Sequence, residues 1–359
     1  MSVRPIISAV DLFCGVGGLS CGLMRSGVNV VAGVDVDSAC QFPYEDNISA
    51  KFVRSDVSSI ESSEVAGLFG RDGIRMLAGC APCQPFSSYS RAGRGRGYSK
   101  QWPLLAKFGR LVKDIQPELV TMENVPQLLQ HDVFETFLSS LSNYSLWFDV
   151  VECQYIGVPQ TRKRLVLLGS RMGDIGAGLS RTHESALTVR DAIGGMSVIP
   201  AGEADRNDSL HIAPKLSEIN EARIRASKPG GSWRDWPEVL RANCHIKDSG
   251  STFPSVYGRM EWDKPSPTIT TQCYGYGNGR FGHPTQNRAI SLREAALLQT
   301  FPPEYRFCAP GEPVRFNRLG RLIGNAVPVR LGEVIGEYFV NHVDEIDRKK
   351  GRGANARRN

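Results

Sequence analysis

The chain has 359 residues, 41% hydrophobic and 22% charged, with a formal net charge of +6. That is globular composition, long enough for one large domain plus a smaller one. No stretch is apolar for long enough to span a membrane, no internal repeat is visible and no secretory signal opens the chain, which sets aside membrane-spanning, repeat and exported classes.

Nine cysteines, at 14, 21, 40, 80, 83, 153, 244, 273 and 308, are odd in number and scattered. This is the pattern of a reduced cytoplasmic protein. The mild basic excess is compatible with a polyanionic partner such as nucleic acid.

In chain order, ISAVDLF predicts a strand closed by the glycines of CGVGG, and GLSCGLMRSG predicts a helix ending at Gly27. VNVVAGVD is the next strand, followed by a helix from Asp37; KFVRSD and IRMLAG are two more strands. WPLLAKFGRLVKDIQP has helical spacing, ELVTMEN is a fifth strand, and LWFDVVECQYI and RLVLLGS follow. Strands alternating with helices predict a doubly wound, mostly parallel α/β sheet of the Rossmann-like kind over residues 1–180. From 181 to 300 the periodicity fades and Gly, Pro, Ser and Asn rise, predicting a smaller irregular domain of loops and short strands. Helical pattern returns at SLREAALLQTFP and RLGEVIGEYFVNHV, so 301–346 is expected to rejoin the first domain, with 347–359 a disordered basic tail.

In open α/β sheets ligands sit beyond the carboxyl ends of the strands. Those ends carry Phe13 with Gly15, Gly17 and Gly18, then Asp35, Asp56, Cys83, and Glu123 with Asn124. The glycines let backbone approach a ligand and leave helix N–H groups for an anionic group. Asp35, 20 residues after Gly15, stands where an acid accepts from ribose hydroxyls, and Asp56 could accept from an adenine amino group. The spacing is not the dinucleotide G-x-G-x-x-G, which favours S-adenosylmethionine over NAD.

MLAGCAPCQPFSSYS holds the Cys80–Cys83 pair, open to three readings: a redox dithiol, half a zinc site, or one nucleophile with an incidental neighbour. Pro85 and the Gly-rich basic run behind it do not suit a thioredoxin-type helix start. Cys244–His245 is the nearest other ligand pair and has no second half.

APCQPFS resembles the Pro-Cys-Gln motif of DNA cytosine-5 methyltransferases, bacterial stand-alone modification type. DLFCGVGGLS, VDVD, SDV, MENV, QTRKR, RAISLREAALLQTFP and GNAVPV resemble its other blocks, in order, from Asp11 to about Phe339. The resemblance implies that Cys83 is the nucleophile, Cys80 is incidental, and no metal is needed. It implies that Glu123 binds the N3 and amino edge of cytosine, Arg164 reaches O2, and Arg162 helps hold the site near Cys83. Arg162 and Arg164, at i and i+2 on an expected strand, would share a face. For S-adenosylmethionine it implies Phe13 against the adenine, Asp35 at the ribose, Asp56 at the adenine amino group, and Pro82, Leu104 and Asn325 completing the pocket with the glycines. Val36 stands where the family often has an aromatic residue.

The substrate implied is double-stranded DNA, with the target base flipped out. Residues 84–113 carry seven basic and no acidic side chains. Gln84, Ser87, Arg91, Arg94 and Arg96 are expected to close over DNA and contact phosphates. Ser99–Lys100–Gln101 replaces the family's usual acidic-x-Arg there. The irregular region becomes a target recognition domain, with Arg241 and Arg280 as DNA contacts. Further candidates to read bases are Arg223, Arg225, Arg234, Asn243, His245, Tyr274, Tyr276 and Asn278.

The expected role is a cytoplasmic restriction-modification or orphan modification enzyme, prokaryotic or phage-encoded and monomeric. A cognate restriction endonuclease would be a partner without stable complex. A tRNA cytosine-5 methyltransferase, a catalytically silent nucleic-acid or nucleotide binder, and an NAD dehydrogenase are the competing readings.

Overall fold

β1 (Ile7–Leu12) is buried along its whole length, as a central strand covered on both faces must be. Beside it run β2 (Asn29–Asp35), β3 (Lys51–Arg54), β4 (Ile74–Gly79) and β5 (Leu119–Asn124), then β6 (Ser145–Glu152) and β7 (Lys163–Ser170). The sheet order is β3-β2-β1-β4-β5-β7-β6. β1 to β5 pair in parallel, and β7 alone runs antiparallel, between β5 and β6. The sequence expectation of a doubly wound, mostly parallel sheet holds. The computed structural model describes residues 5–70, 73–82, 102–247 and 253–356.

The chain divides into two compact units. The first comprises 1–152, 163–181 and 327–359 and holds the whole sheet. Its helices are α1 (Gly18–Arg25), α2 (Gln41–Asn47), α3 (Ser62–Ala66), α4 (Trp102–Ile115) and α5 (Asp132–Ser139). Leu105, Phe108, Leu111 and Val112 of α4 bury one stripe in a core with Leu12, Leu77 and Met122 of the strands and Phe134 and Phe137 of α5. The closing helix of this unit, Val329–Ala356, crosses α1 at backbone distance. A Cβ on Gly22 would run into the Val329 carbonyl, and one on Gly332 into that of Leu19.

The second unit comprises 153–162 and 182–326. It contains α6 (Val189–Ile193), α7 (Glu218–Ala226), α8 (Asn243–Ile246), α9 (Leu292–Leu298) and α10 (Phe316–Asn325), so that the long helix 329–356 is α11. Instead of the short strands expected, its described residues form isolated bridges, short helices and 3-10 turns. Backbone groups outside ladders need other partners, and buried side chains supply them. The Arg259 guanidinium donates to the carbonyls of Ile224, Ser227, His283 and Gln286 and to Asn287 Oδ1. Gln160 donates to the Leu298 carbonyl and Gln299 Oε1 and accepts from the Ile269 N–H.

Two expected boundaries move. The chain returns to the first unit at Val327 rather than 301, because α10 packs against α9 inside the second unit. The expected disordered tail is helical from 347 to Ala356, an extension of α11 without a proline to stop it; 357–359 lie outside the described residues.

Candidate active site

The glycine turn after β1 leaves the sheet through left-handed backbone at Phe13 (φ 59°), Gly15 (φ 54°) and Gly17 (φ 87°). A non-glycine residue held there is strained and persists because its surroundings fix it; Phe13 is half-buried against the sheet core. No described residue lies within 4 Å of where a Cβ of Gly15 would stand.

Asp35 ends β2 and pins this turn. Its Oδ2 accepts the Gly15 N–H at 2.9 Å and its Oδ1 the Asp37 N–H at 2.9 Å. Burial pushes the Asp35 carboxyl up, against the pull of those N–H groups. Each oxygen keeps a further lone pair for a ligand hydroxyl. Beside it Val36 is 63% exposed, an aliphatic surface where an aromatic one was the family's usual choice. Asp56 is exposed two residues beyond Arg54, the register partner of Asp35; its Oδ1 accepts the Ser58 N–H at 2.8 Å. Glycine turn, doubly anchored acid, bare aliphatic surface and second acid suit the ribose and adenine of a nucleoside cofactor.

Beneath the turn sits a buried cluster the sequence reading missed. Ser20 Oγ donates to Asp11 Oδ2 at 2.7 Å and lies 3.0 Å from the Tyr44 hydroxyl. A Cβ on Gly33 would enter the Tyr44 ring, so glycine there makes room for it. Burial, with the nearby Asp35 charge adding to it, raises the Asp11 carboxyl to about 7 despite the Ser20 hydroxyl. A carboxyl whose folded value is raised contributes stability that is complete below about pH 4 and is lost as pH rises through about 7. Asp11→Asn keeps an acceptor for Ser20 and cannot ionise. It is expected to remove on the order of 4 kcal/mol of this pH dependence, read as unfolding free energy by denaturant titration from pH 4 to 8. An unchanged slope would show that Asp11 titrates normally.

At the carboxyl end of β5, Glu123 is 2% exposed. Its Oε1 lies 2.6 Å from Arg164 Nε, and its Oε2 accepts the Cys80 thiol at 2.7 Å. Among the described residues no N–H points at Oε1, so the Arg164 contact is an ion pair rather than an aligned hydrogen bond. Cys80 is held at both flanks. Its N–H reaches the Leu12 carbonyl at 3.3 Å, and Asn124 Nδ2 donates to the Ala81 carbonyl at 3.1 Å. Arg164 stands beside Glu123 because β7 is antiparallel to β5: β7 begins at the edge where β5 ends.

The remaining expected residues scatter. Cys83, Gln84, Ser87, Arg91, Arg94 and Arg96 lie outside the described residues. Pro82 is exposed after β4, and Leu104 is half-buried on α4. Arg162 was expected on a strand with Arg164, but β7 starts at Lys163 and Arg162 belongs to the second unit. There it is 2% exposed and donates to the carbonyls of Ile269 (2.8 Å) and Gly324 (3.2 Å) and to Gln160 Oε1 (3.4 Å). Asn325 ends α10, exposed, also in the second unit.

Two expected base readers are corrected. His245 stacks on Trp233 at 4.4 Å, and Tyr276 packs edge-on to Tyr257, both buried in an aromatic core where they face neighbours rather than a groove. Arg223 lies over Trp236 and Tyr257 and donates to the Leu240 carbonyl. Arg280 donates to the carbonyls of Gly231 and Arg259, and Arg241 to that of Arg234. Tyr274 donates to Asn317, and Asn278 to the Gln272 carbonyl. Arg225, Arg234 and Asn243 are exposed. Among the described residues no His, Cys, Asp and Glu cluster could hold a metal ion, and no helix is long and apolar enough to cross a membrane.

A glycine turn anchored by Asp35 and a buried Glu123–Arg164 pair stand at one edge of this mostly parallel sheet, the fold of known DNA methyltransferases. A candidate DNA modification methyltransferase encoded within an E. coli prophage shares the fold at TM-score 0.72 and 23% identity, over 93% of this chain and 99% of that one. The Entamoeba histolytica methyltransferase EhMeth does so at TM-score 0.63 and 16% identity, over 94% and 99%. Residues 7–341 match the C-5 cytosine-specific DNA methylase family, and the chain belongs to it: this is a DNA cytosine-5 methyltransferase. It is 48% identical to the Type II methylase M.HgiDII of Herpetosiphon aurantiacus over 96% of this chain and 98% of the relative. Identity to the Type II methyltransferase M.Eco47II of Escherichia coli is 30%, over 96% and 81%.

Proposed function

We propose that the enzyme recognises a specific sequence in double-stranded DNA, flips a cytosine out of the duplex and methylates its C5 through a covalent bond between Cys83 and C6. The observation that carries this reading is Glu123, buried at the end of β5 with Arg164 against one oxygen and the Cys80 thiol against the other. Cytosine C5 is a poor nucleophile until a thiolate adds to C6. Cys83 makes that bond, and Glu123 holds a proton at N3 as electron density moves onto C5. Arg164 faces O2 and neutralises Glu123. Loss of the C5 proton and expulsion of the Cys83 thiolate then restore the ring.

Bound S-adenosylmethionine supplies the electrophilic methyl group. Asp35 holds its ribose, Asp56 its adenine amino group, and Phe13, Val36, Pro82 and Leu104 its apolar faces, with the glycines completing the pocket. Arg162 braces the second unit, the target recognition domain, whose Arg241 and Arg280 are proposed to face DNA. Asp35→Ala is expected to weaken S-adenosylmethionine binding about 10- to 100-fold by calorimetry, the loss of a hydrogen bond to a charged group. Binding at the parent affinity would remove Asp35 from the pocket. In the cell we propose a cytoplasmic modification enzyme, monomeric, paired with a restriction endonuclease or acting as an orphan.

A covalent trap tests the chemistry. Random-sequence duplex DNA carrying 5-fluorocytosine cannot lose fluorine as it loses a proton. A denaturation-resistant adduct that requires S-adenosylmethionine and disappears in Cys83→Ser is expected, and sequencing the trapped DNA names the target. An adduct with fluorinated RNA alone moves the substrate class to tRNA. No adduct with either overturns the nucleophile and reopens the Cys80–Cys83 dithiol.

A further inference from the structure

We infer that Cys80 is a positioning residue for the catalytic carboxylate, not an incidental neighbour of the nucleophile. The inference rests on the proposed role of Glu123 and deepens it.

Three observations converge. The Cys80 thiol donates to Glu123 Oε2 at 2.7 Å across the ends of β4 and β5. Its backbone is pinned at the Leu12 carbonyl and, one residue on, by Asn124 at the Ala81 carbonyl, so the sulfur has a fixed place. The Glu123 side chain is 3% exposed and, among the described residues, its Oε1 takes no aligned hydrogen bond while its Oε2 accepts an oriented one from Cys80.

The chemistry of a thiol suits this place. A carboxyl that shuttles a proton to a ring nitrogen must keep one position in two protonation states. S–H donates weakly to the carboxylate, and after rotation the sulfur accepts weakly from the carboxylic acid. Cys80 therefore holds Oε2 before and after the proton moves, while Arg164 steadies the charged form. Alanine would leave a buried oxygen without that partner and free the carboxyl to turn. Serine, another donor and acceptor on the same Cβ, would keep the function.

The test is a double-mutant cycle on the full chain, with tritiated S-adenosylmethionine and unmethylated genomic duplex DNA. Cys80→Ala is expected to lower kcat about tenfold while KM for both substrates stays within about twofold. Cys80→Ser should recover most of the rate. In a Glu123→Gln background Cys80→Ala should cost nothing further, because the group it positions is already altered. A parent-like rate in Cys80→Ala, a serine variant as slow as alanine, or a loss that adds fully to Glu123→Gln overturns the positioning role. A parent-like rate for Glu123→Gln instead overturns the catalytic reading of Glu123, and the positioning role falls with it. Thermal unfolding of each variant separates a folding defect: a Cys80→Ala loss that tracks a lowered unfolding temperature and is not rescued by serine counts against the inference.

Discussion

Glu123→Gln is expected to lower kcat by roughly a hundredfold to ten-thousandfold, the range for removing a positioned general acid or base. The replacement keeps size and burial but cannot give a proton to N3, and it loses the charge that faces Arg164 at 2.6 Å. DNA affinity should change far less, since phosphate contacts dominate it and Glu123, a buried carboxylate, is not one of them. Single-turnover methylation with tritiated cofactor measures the rate, and a filter-binding titration measures the affinity. A loss confined to KM would mean that Glu123 binds the base without taking part in proton transfer.

The second large effect is on stability. Arg288 and Glu294 form a bidentate ion pair at 2.7 Å on both arms, with both side chains fully buried. Glu294 Oε2 also accepts the Ser291 N–H, while Ser291 Oγ accepts the Glu294 N–H, closing the first turn of α9. Burial alone would raise the Glu294 carboxyl, but the Arg288 bonds overcome it and hold it below the usual range. A lowered folded value means its stability is present above about pH 4.5 and lost as pH falls through that lower value. Glu294→Gln strands a buried guanidinium and is expected to cost about 3–5 kcal/mol, with a steeper penalty than the parent's only above that pH. Denaturant unfolding at pH 7 measures it, and a loss under about 1 kcal/mol would show that water reaches Arg288. Replacing both partners, Arg288→Met with Glu294→Leu, should recover much of the loss because no charge is left unpaired.

The irregular second unit was the least legible part of the chain. Its order comes from Arg259 on the Ile224 carbonyl, Arg288 on that of Ile199 and Gln160 on that of Leu298, partners 35 to 138 residues apart, and from the Trp233–Trp236–Tyr257–Tyr276 packing. A sequence window shows these as scattered arginines and aromatics, which read equally well as DNA contacts. His245 and Tyr276 were misread for that reason. α10 carried a usable signal, Phe316, Leu319, Leu322 and Ile323 at helical spacing, which the glycines around it obscured.

The sequence by itself determined the sheet's strands, because periodicity is local: apolar runs such as 7–12 and 119–124 close on glycine or polar residues that must stand at the strand ends. It also placed Asp35 at the end of the strand after the glycine turn, a spacing fixed by one strand–helix–strand unit, though the bond from the Gly15 N–H to its carboxylate came only with the fold. Only the tertiary structure decided where the two arginines of QTRKR go. An antiparallel β7 inserted beside β5 delivers Arg164 to Glu123, while Arg162, two residues earlier, has left the sheet to bind carbonyls of the second unit. Strand direction and pairing depend on contacts far apart in sequence, and so does the meeting of the Cys80 thiol with Glu123, 43 residues away.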